Sequence, residues 1–281
     1  MAFYKITYNG KHDFATVHNY GCTFRCPICS YRIMSGANGT PGLAYPKPER
    51  YLTNDEIKNA LRSVSPSSVR FMGGEPTVAK ALPEMLSFVK NELNAGTMLG
   101  HTNGSDLSLE NLDAANVGLK AWDEDVHKFI TGIEKEKIYG NFEKAAERGM
   151  RLAANLIYVP GLVDIDQVES VAEYLSSFNG IPFHIMGYIP VPGQPYRRPT
   201  SEEMKDVQRI AKKYVKDVKY SHLTPEQLLS MEMKDDRFDV EVIAGQGSPR
   251  MLTSAVKAWG PFSEIFTEAL HDTALPERRV E

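Results

Sequence analysis

Three cysteines on one short stretch, Cys22, Cys26 and Cys29, are the only cysteines of the chain. Their spacing, C-x3-C-x2-C, puts three thiols on a single loop, and such a loop can ligate three irons of a cubane iron–sulfur cluster. The fourth iron then has no cysteine ligand. An open metal position is typical of catalysis, because structural metal sites are closed. The sequence therefore predicts a 4Fe-4S cluster whose free iron binds a small molecule.

Two other uses of these cysteines have to be weighed. An odd number of closely spaced cysteines is a poor basis for disulfide bonds and fits a metal site in a reducing compartment better. A zinc site completed by His12 or His18 is the alternative, and it would predict a small closed knuckle. The cysteines are followed instead by a long series of strand and helix patterns, which favours the cluster.

A second element, Gly73-Gly74-Glu75-Pro76, follows a strand-like stretch at 68–72. The two glycines permit unusual backbone angles and close approach of another group. The Glu75 carboxylate can accept hydrogen bonds from an ammonium group. Taken alone, the four residues would also fit an ordinary turn between a strand and a helix. Their position one helix pattern after the cysteine loop gives them weight.

Together the two motifs resemble those of the radical S-adenosylmethionine (SAM) superfamily. The resemblance implies that the free iron binds the amino and carboxylate groups of SAM and that one electron breaks the S–C5′ bond. The 5′-deoxyadenosyl radical so formed would abstract hydrogen from a substrate. By this resemblance the three cysteines are metal ligands and catalytic residues. The methionyl amino group would be bound by Gly73, Gly74, Glu75 and Pro76. Ile28 and Ser30 would lie beside the cofactor, and a flavodoxin or ferredoxin-like reductant would be a partner.

Two later elements extend this resemblance. Thr102-Asn103-Gly104 is similar to a T-N-G element that faces the cofactor, so Thr102 and Asn103 are expected to hydrogen-bond its methionyl or ribose end; an ordinary Asn-Gly turn is the alternative. Residues 118–132 resemble a region of glycyl-radical-enzyme activating enzymes, such as the activator of pyruvate formate-lyase. That likeness implies that Leu119 and Lys120 lie near the carboxylate or ribose of the cofactor.

The chain departs from the activating-enzyme pattern at three positions. Gly118 stands where that pattern has Asp, Ser30 stands where it has His, and Ile189 replaces the His of a Tyr-His pair. An activating enzyme that modifies a protein or peptide remains the first expectation. The departures favour the alternative of a small-molecule radical SAM enzyme in cofactor or natural-product biosynthesis. Tyr188 is expected to face the cofactor or substrate, with a packing role as the alternative.

Several other polar residues are open to two interpretations. His127 matches the activating-enzyme pattern but would also serve as a structural histidine of a helix. His184 lies in a strand pattern and could face either the core or the barrel interior. Arg197 and Arg198 are candidates for gripping a substrate carboxylate or phosphate, with a solvated loop as the alternative.

The order of the predicted elements indicates the fold. Alternating strands and helices imply right-handed βαβ units, a parallel sheet and an α/β fold of the partial (β/α)6 TIM-like barrel type, with its active site at the carboxyl ends of the strands. We expect residues 1–215 to form this barrel and the more polar 216–281 to form a C-terminal cap or lid. The predicted strands are 3–8, 13–18, 68–72, 97–101, 116–121, 153–159 and 182–189. The predicted helices are 54–64, with Thr53 as N-cap, and 80–94, 134–148, 164–177 and 201–215.

The composition limits the classes of partner that we expect. The 281 residues carry a net charge of −4 with a pI near 6.0, so nothing favours nucleic acid or a membrane surface as a partner. We find no signal-peptide pattern and no apolar run long enough for a membrane helix, which predicts a cytoplasmic protein. The expected substrate is a protein, a peptide or a small molecule.

Overall fold

The computed structural model describes residues 3–30, 48–224 and 239–245. In these ranges a single sheet contains nine strands. They are β1 (Phe3–Asn9), β2 (Phe14–Asn19), β3 (Ser68–Gly73), β4 (Gly96–Thr102), β5 (Ala114–Gly118), β6 (Arg151–Tyr158), β7 (Phe183–Gly187), β8 (Val218–Ser221) and β9 (Glu241–Gly245). Strands β2 to β8 run parallel, whereas β1 is antiparallel to both of its neighbours, β2 and β9.

The sheet does not close on itself, because its order begins at β8 and ends at β9. This open and mostly parallel arrangement confirms the predicted α/β partial barrel. Side chains alternate between the two faces of each strand. Those that face the helices are apolar and buried, among them Val69, Phe71, Leu99, Val117 and Phe183. The inner, concave face is more polar, and the carboxyl ends of the parallel strands open on one edge of it.

The described helices follow the predicted order, with one addition. They are α1 (Asn54–Val64), α2 (Leu82–Asn91), α3 (Glu124–Thr131), α4 (Lys135–Glu147), α5 (Ile165–Ser176) and α6 (Ser201–Ala211). Thr53 caps α1 as expected, since its side chain and that of Glu56 form a capping box. Helix α3 is not among the predicted ranges, although it contains His127, for which a structural role in a helix was considered. None of the helices in the described ranges has the length and apolarity that crossing a membrane requires.

Each predicted strand differs from the observed one by one to three residues at one or both ends. The strand expected at 182–189 ends at Gly187, so Tyr188 lies beyond it. The strand expected at 116–121 ends at Gly118, so Lys120 lies beyond it. The short strands β8 and β9 fall in the region 216–281, and both join the barrel sheet by pairing with β7 and β1. The division into a barrel domain and a cap stays a prediction. Most of the loop expected at 31–50 lies outside the described residues.

Candidate functional site

The cysteine loop follows β2 at the carboxyl edge of the sheet. Cys22, Cys26 and Cys29 are all partly exposed and form no disulfide bond. Between them, Phe24 and Ile28 are only 1% and 4% exposed and pack into the core. The loop thus has two apolar anchors that keep its three thiols at the mouth of the barrel. Ile28 therefore contributes packing, and Ser30 is exposed at the end of the loop.

Two of the three cysteines, Cys22 and Cys26, favour the protonated thiol in the absence of a metal. Burial raises the pKa of Cys22, and it raises the pKa of Cys26 to about 12, while the positive charge of Lys120 lowers both. Iron would have to displace these protons, since thiolates are the ligands of iron–sulfur clusters. Three soft sulfur donors on one loop, with no further cysteine in the chain, fit a cluster with one open iron.

The histidines of the zinc alternative are engaged or distant. His18 lies within β2, and its Nε2 is 3.0 Å from the hydroxyl oxygen of Thr7. His12 lies in the turn before β2, at the opposite end of that strand from the cysteine loop. The described geometry therefore does not complete a closed site on the three cysteines.

Gly73 lies where the second motif packs against the chain that leads into the cysteine loop. Its φ is +141°, and a Cβ at this position would collide with the backbone oxygen of Asn19. Asn19 donates from its side-chain amide to the carbonyls of Gly21 and Glu75, at 3.1 and 2.9 Å. The backbone N–H of Glu75 donates to the carbonyl of Gly21 at 2.8 Å. Asn19, which the sequence did not single out, thus joins the two motifs.

The carboxylate of Glu75 is turned into the protein. The residue is completely buried. It accepts hydrogen bonds from the N–H and hydroxyl of Thr77 at 3.2 and 2.8 Å and from the N–H of Asn103 at 2.6 Å. The hydroxyl of Thr102 lies 2.9 and 3.0 Å from its two oxygens. Burial raises the pKa of Glu75, and these donors oppose the rise. Here Glu75 and Thr102 hold the ends of β3 and β4 together, and neither carboxylate oxygen faces solvent.

Asn103 faces the cysteine loop. Its side-chain amide donates to the hydroxyl of Thr23 at 2.8 Å and lies 3.8 Å from the sulfur of Cys22. Thr102 and Asn103, which were both expected to hydrogen-bond the cofactor, therefore have different contacts. Thr102 supports Glu75, and Asn103 lies beside the predicted cluster ligands.

Lys120 folds back over the end of β5. A Cβ on Gly118 would clash with the ammonium nitrogen of Lys120 and would lie 3.3 Å from the side-chain oxygen of Asn155. The missing side chain at Gly118 thus provides the space that the ammonium occupies. Leu119 is buried, and its N–H donates to the carbonyl of Asn155 at 2.9 Å, so its side chain belongs to the core.

The remaining candidates mostly contact their own chain. Tyr188 is 1% exposed, and its hydroxyl accepts from the N–H of Val191. His127 is buried with Nδ1 2.9 Å from the carbonyl of Ile133, which agrees with the structural interpretation. The two arginines bind neighbouring groups: Arg197 pairs with the carboxylate of Glu203, and Arg198 donates to the carbonyls of His222 and Leu223.

His101 was missed by the sequence analysis. It lies where the pairing of β4 with β5 shifts register between Leu99 and Thr102. Its side chain is exposed at the open interior, yet the surrounding barrel desolvates it and, with the charges of Lys120 and His184, lowers its pKa to about 4. A bulge of this kind can re-aim a side chain. The dipeptide Gly100-His101 is the only local signal for it.

Comparison with known proteins adds three findings. The sequence model of the radical SAM superfamily matches residues 16–175. A candidate glycyl-radical enzyme activating enzyme of Methanocaldococcus jannaschii is 26% identical over 231 residues, which are 77% of this chain and 84% of that protein. A GTP 3′,8-cyclase of Clostridium perfringens is 23% identical over 224 residues, covering 75% and 66% of the two chains.

Among solved structures, SuiB of Streptococcus suis bound to SAM superposes with a TM-score of 0.56 at 16% identity. The match covers 76% of this chain and 52% of SuiB, so the chain spans about half of that protein. At this identity the likeness shows the fold alone. It agrees with the open barrel described above.

Proposed function

Because the chain belongs to the radical SAM superfamily of enzymes, which use a 4Fe-4S cluster and SAM, we propose that Cys22, Cys26 and Cys29 ligate the cluster at which SAM is reductively cleaved. The bound cofactors would supply a 5′-deoxyadenosyl radical that abstracts hydrogen from the substrate. The observation that carries the proposal is the hydrogen-bonded junction of the cysteine loop with Gly73–Pro76 and Asn103. A flavodoxin or ferredoxin-like protein is the proposed electron donor.

The chain's own residues would position these cofactors. Phe24 and Ile28 anchor the loop, so the three sulfurs keep their spacing before the cluster is bound. Gly73 and Gly74 are partly exposed, and we assign their backbone to the methionyl amino group of SAM. Glu75 supports this backbone from behind, through its bonds to Thr102 and Asn103. The ammonium of Lys120, whose charge reaches Cys22 and Cys26, is our candidate for the SAM carboxylate.

Two substrate classes are open to this chemistry. The relative from Methanocaldococcus jannaschii supports an activating enzyme that acts on a protein or peptide. The cyclase relative, named for a nucleotide, supports a small molecule. Gly118 favours the small molecule. The activating-enzyme pattern has a carboxylate side chain at this position, whereas here the ammonium of Lys120 occupies that space. We propose a small-molecule substrate, with a protein or peptide as the second candidate.

An anaerobic cleavage assay tests the proposal. The protein is reconstituted with iron and sulfide, its iron content is measured, and 5′-deoxyadenosine is quantified after reduction in the presence of SAM. We expect about four irons per chain and product formation, since three thiolates can hold a cubane cluster with an open iron. Protein that binds a single zinc tightly and forms no 5′-deoxyadenosine would contradict it.

A further inference from the structure

The strands of the barrel are biased toward basic side chains. Strands β2 to β8 contain no Asp or Glu, but they contain basic side chains: His18, Arg70, His101, Arg151, His184 and Lys219. The chain as a whole has more acidic than basic residues, 36 Asp and Glu against 32 Lys and Arg. Overall composition therefore does not explain the bias of these strands.

Strand register brings some of these residues into one line. Gly118 of β5 pairs with Asn155 of β6, Asn155 pairs with His184 of β7, and His184 pairs with Lys219 of β8. Paired residues of neighbouring parallel strands point to the same face of a sheet. The residues that precede them, Val117, Ala154, Phe183 and Val218, are buried toward the helices. Asn155, His184 and Lys219 therefore face the barrel interior.

His101 joins this line from the other side. It is exposed at the register shift of β4, and the charges of Lys120 and His184 both act on it. The ammonium of Lys120 lies between them, over Gly118. We name His101, His184 and Lys219 the basic row.

Two members of the basic row, His184 and Lys219, lie far from the cysteine loop in the order of the strands. The loop follows β2, whereas His184 and Lys219 lie on β7 and β8, five and six strands away in the sheet order. Neither residue is on a strand that adjoins β2, which leads into the cysteine loop. Imidazole and ammonium groups donate hydrogen bonds well to carboxylate and phosphate oxygens. The ammonium of Lys219 would need a counter-charge once a ligand covered it, since burying an unpaired charge is costly.

We propose that the basic row binds an anionic group, a carboxylate or phosphate, of a small-molecule substrate inside the barrel. This assignment rests on the proposed radical SAM function and names its substrate class. The anion fixes one end of the substrate on β7 and β8, and the hydrogen to be abstracted then lies on the part that reaches back toward the cysteine loop. A neutral glycyl segment of a protein would leave the ammonium of Lys219 without a counter-charge.

Binding of anion probes to the reconstituted, SAM-loaded enzyme tests this. Inorganic triphosphate and succinate distinguish a phosphate from a carboxylate, with erythritol as neutral probe and sodium chloride matching ionic strength. We expect calorimetry to show one of the two anions binding and erythritol not binding. In Lys219→Ala the affinity should fall by roughly tenfold, because a charge-assisted hydrogen bond is lost. In His184→Gln it should fall less, because the amide still donates but from a different position.

Matched controls separate this site from general charge effects and from misfolding. Lys216→Ala removes an equal charge just before β8 and should bind the anion as the wild type does. Lys219→Arg should recover most of the affinity. Thermal unfolding checks each variant for folding. Cleavage of SAM without substrate should be unchanged in Lys219→Ala. Absence of SAM cleavage in the wild type would count against the proposed function, whereas anion binding tests the basic row. Equal anion affinity in wild type, Lys219→Ala and His184→Gln would overturn the proposal, as would the absence of any anion binding.

Discussion

The two sides of the barrel use their polar groups in different ways. On the side of β2, β3 and β4, polar side chains are buried and bonded to one another, with Asn19 and Glu75 joining the cysteine loop to the strand ends. On the side of β7 and β8, His184 and Lys219 face the barrel interior, and among the described residues Lys219 is exposed and His184 partly exposed. The first side is built to hold a fixed arrangement, which suits cofactors common to a superfamily. The second side can vary without disturbing it, which suits the recognition of a particular substrate.

The largest effect should come from the cysteine loop. Cys26→Ala removes one of three sulfur ligands, and no other cysteine can replace it. We expect loss of the cubane cluster and of 5′-deoxyadenosine formation, measured by iron content and chromatography after anaerobic reconstitution. Ser63→Ala on the exposed face of α1 is the control and should behave as the wild type. A Cys26→Ala protein with a full cluster and normal turnover would exclude the assignment.

Gly73→Ala tests the junction between the two motifs. The added Cβ would collide with the backbone of Asn19 at a φ that side chains rarely adopt, so we expect a loss of about 3 kcal/mol or more in unfolding free energy, together with poor cluster loading. Gly149→Ala is the matched control. Its φ is +74° but nothing lies near the new Cβ. It should cost about 1 to 2 kcal/mol and leave cluster loading intact. Equal behaviour of the two variants in denaturant titrations would show that the junction is unimportant.

Glu75→Ala separates support from direct contact. We expect weaker SAM binding with the cluster spared, and a loss of about 2 to 3 kcal/mol in stability because Thr77, Thr102 and Asn103 lose their buried acceptor. Binding is measured by anaerobic calorimetry and stability by denaturant titration. A carboxylate that only contacted the ammonium of SAM would lower affinity without changing stability. That outcome would show that Glu75 turns toward the cofactor when it binds.

Gly118→Asp tests the far side with the smallest expected effect. It introduces a carboxylate beside Lys120 and in line with His184, and it restores the residue expected in activating enzymes. Anion affinity should fall by roughly tenfold through repulsion in a partly desolvated site. SAM cleavage without substrate should also weaken, because the new side chain displaces the ammonium of Lys120, our candidate for the SAM carboxylate. Gly118→Asn adds a similar volume without charge, and comparable losses in both variants would attribute the effect to size.

Local patterns predicted the first side better than the second. The cysteine spacing, the Thr53 cap and the demand for Gly73 are all readable over a few residues, and they led to the cysteine loop and its neighbouring motif. The orientation of Glu75 was not predictable, because it depends on donors from Thr102 and Asn103, which lie far along the chain. Nor was the bulge at His101, since Gly100-His101 fits either register. Strand β8 has only four residues, Val218–Ser221, and no pattern that marks it.

An anaerobic crystal structure of the reconstituted protein with SAM bound tests the central claim most directly. We predict a cluster on Cys22, Cys26 and Cys29 with SAM on the fourth iron and its ammonium against the backbone of Gly73 and Gly74. The Glu75 carboxylate should remain bonded to Thr102 and Asn103, and His184 and Lys219 should stay clear of SAM on the far side. A fourth protein ligand on the metal, or SAM whose carboxylate is held by His184 and Lys219, would contradict the division of the barrel into a cofactor side and a substrate side.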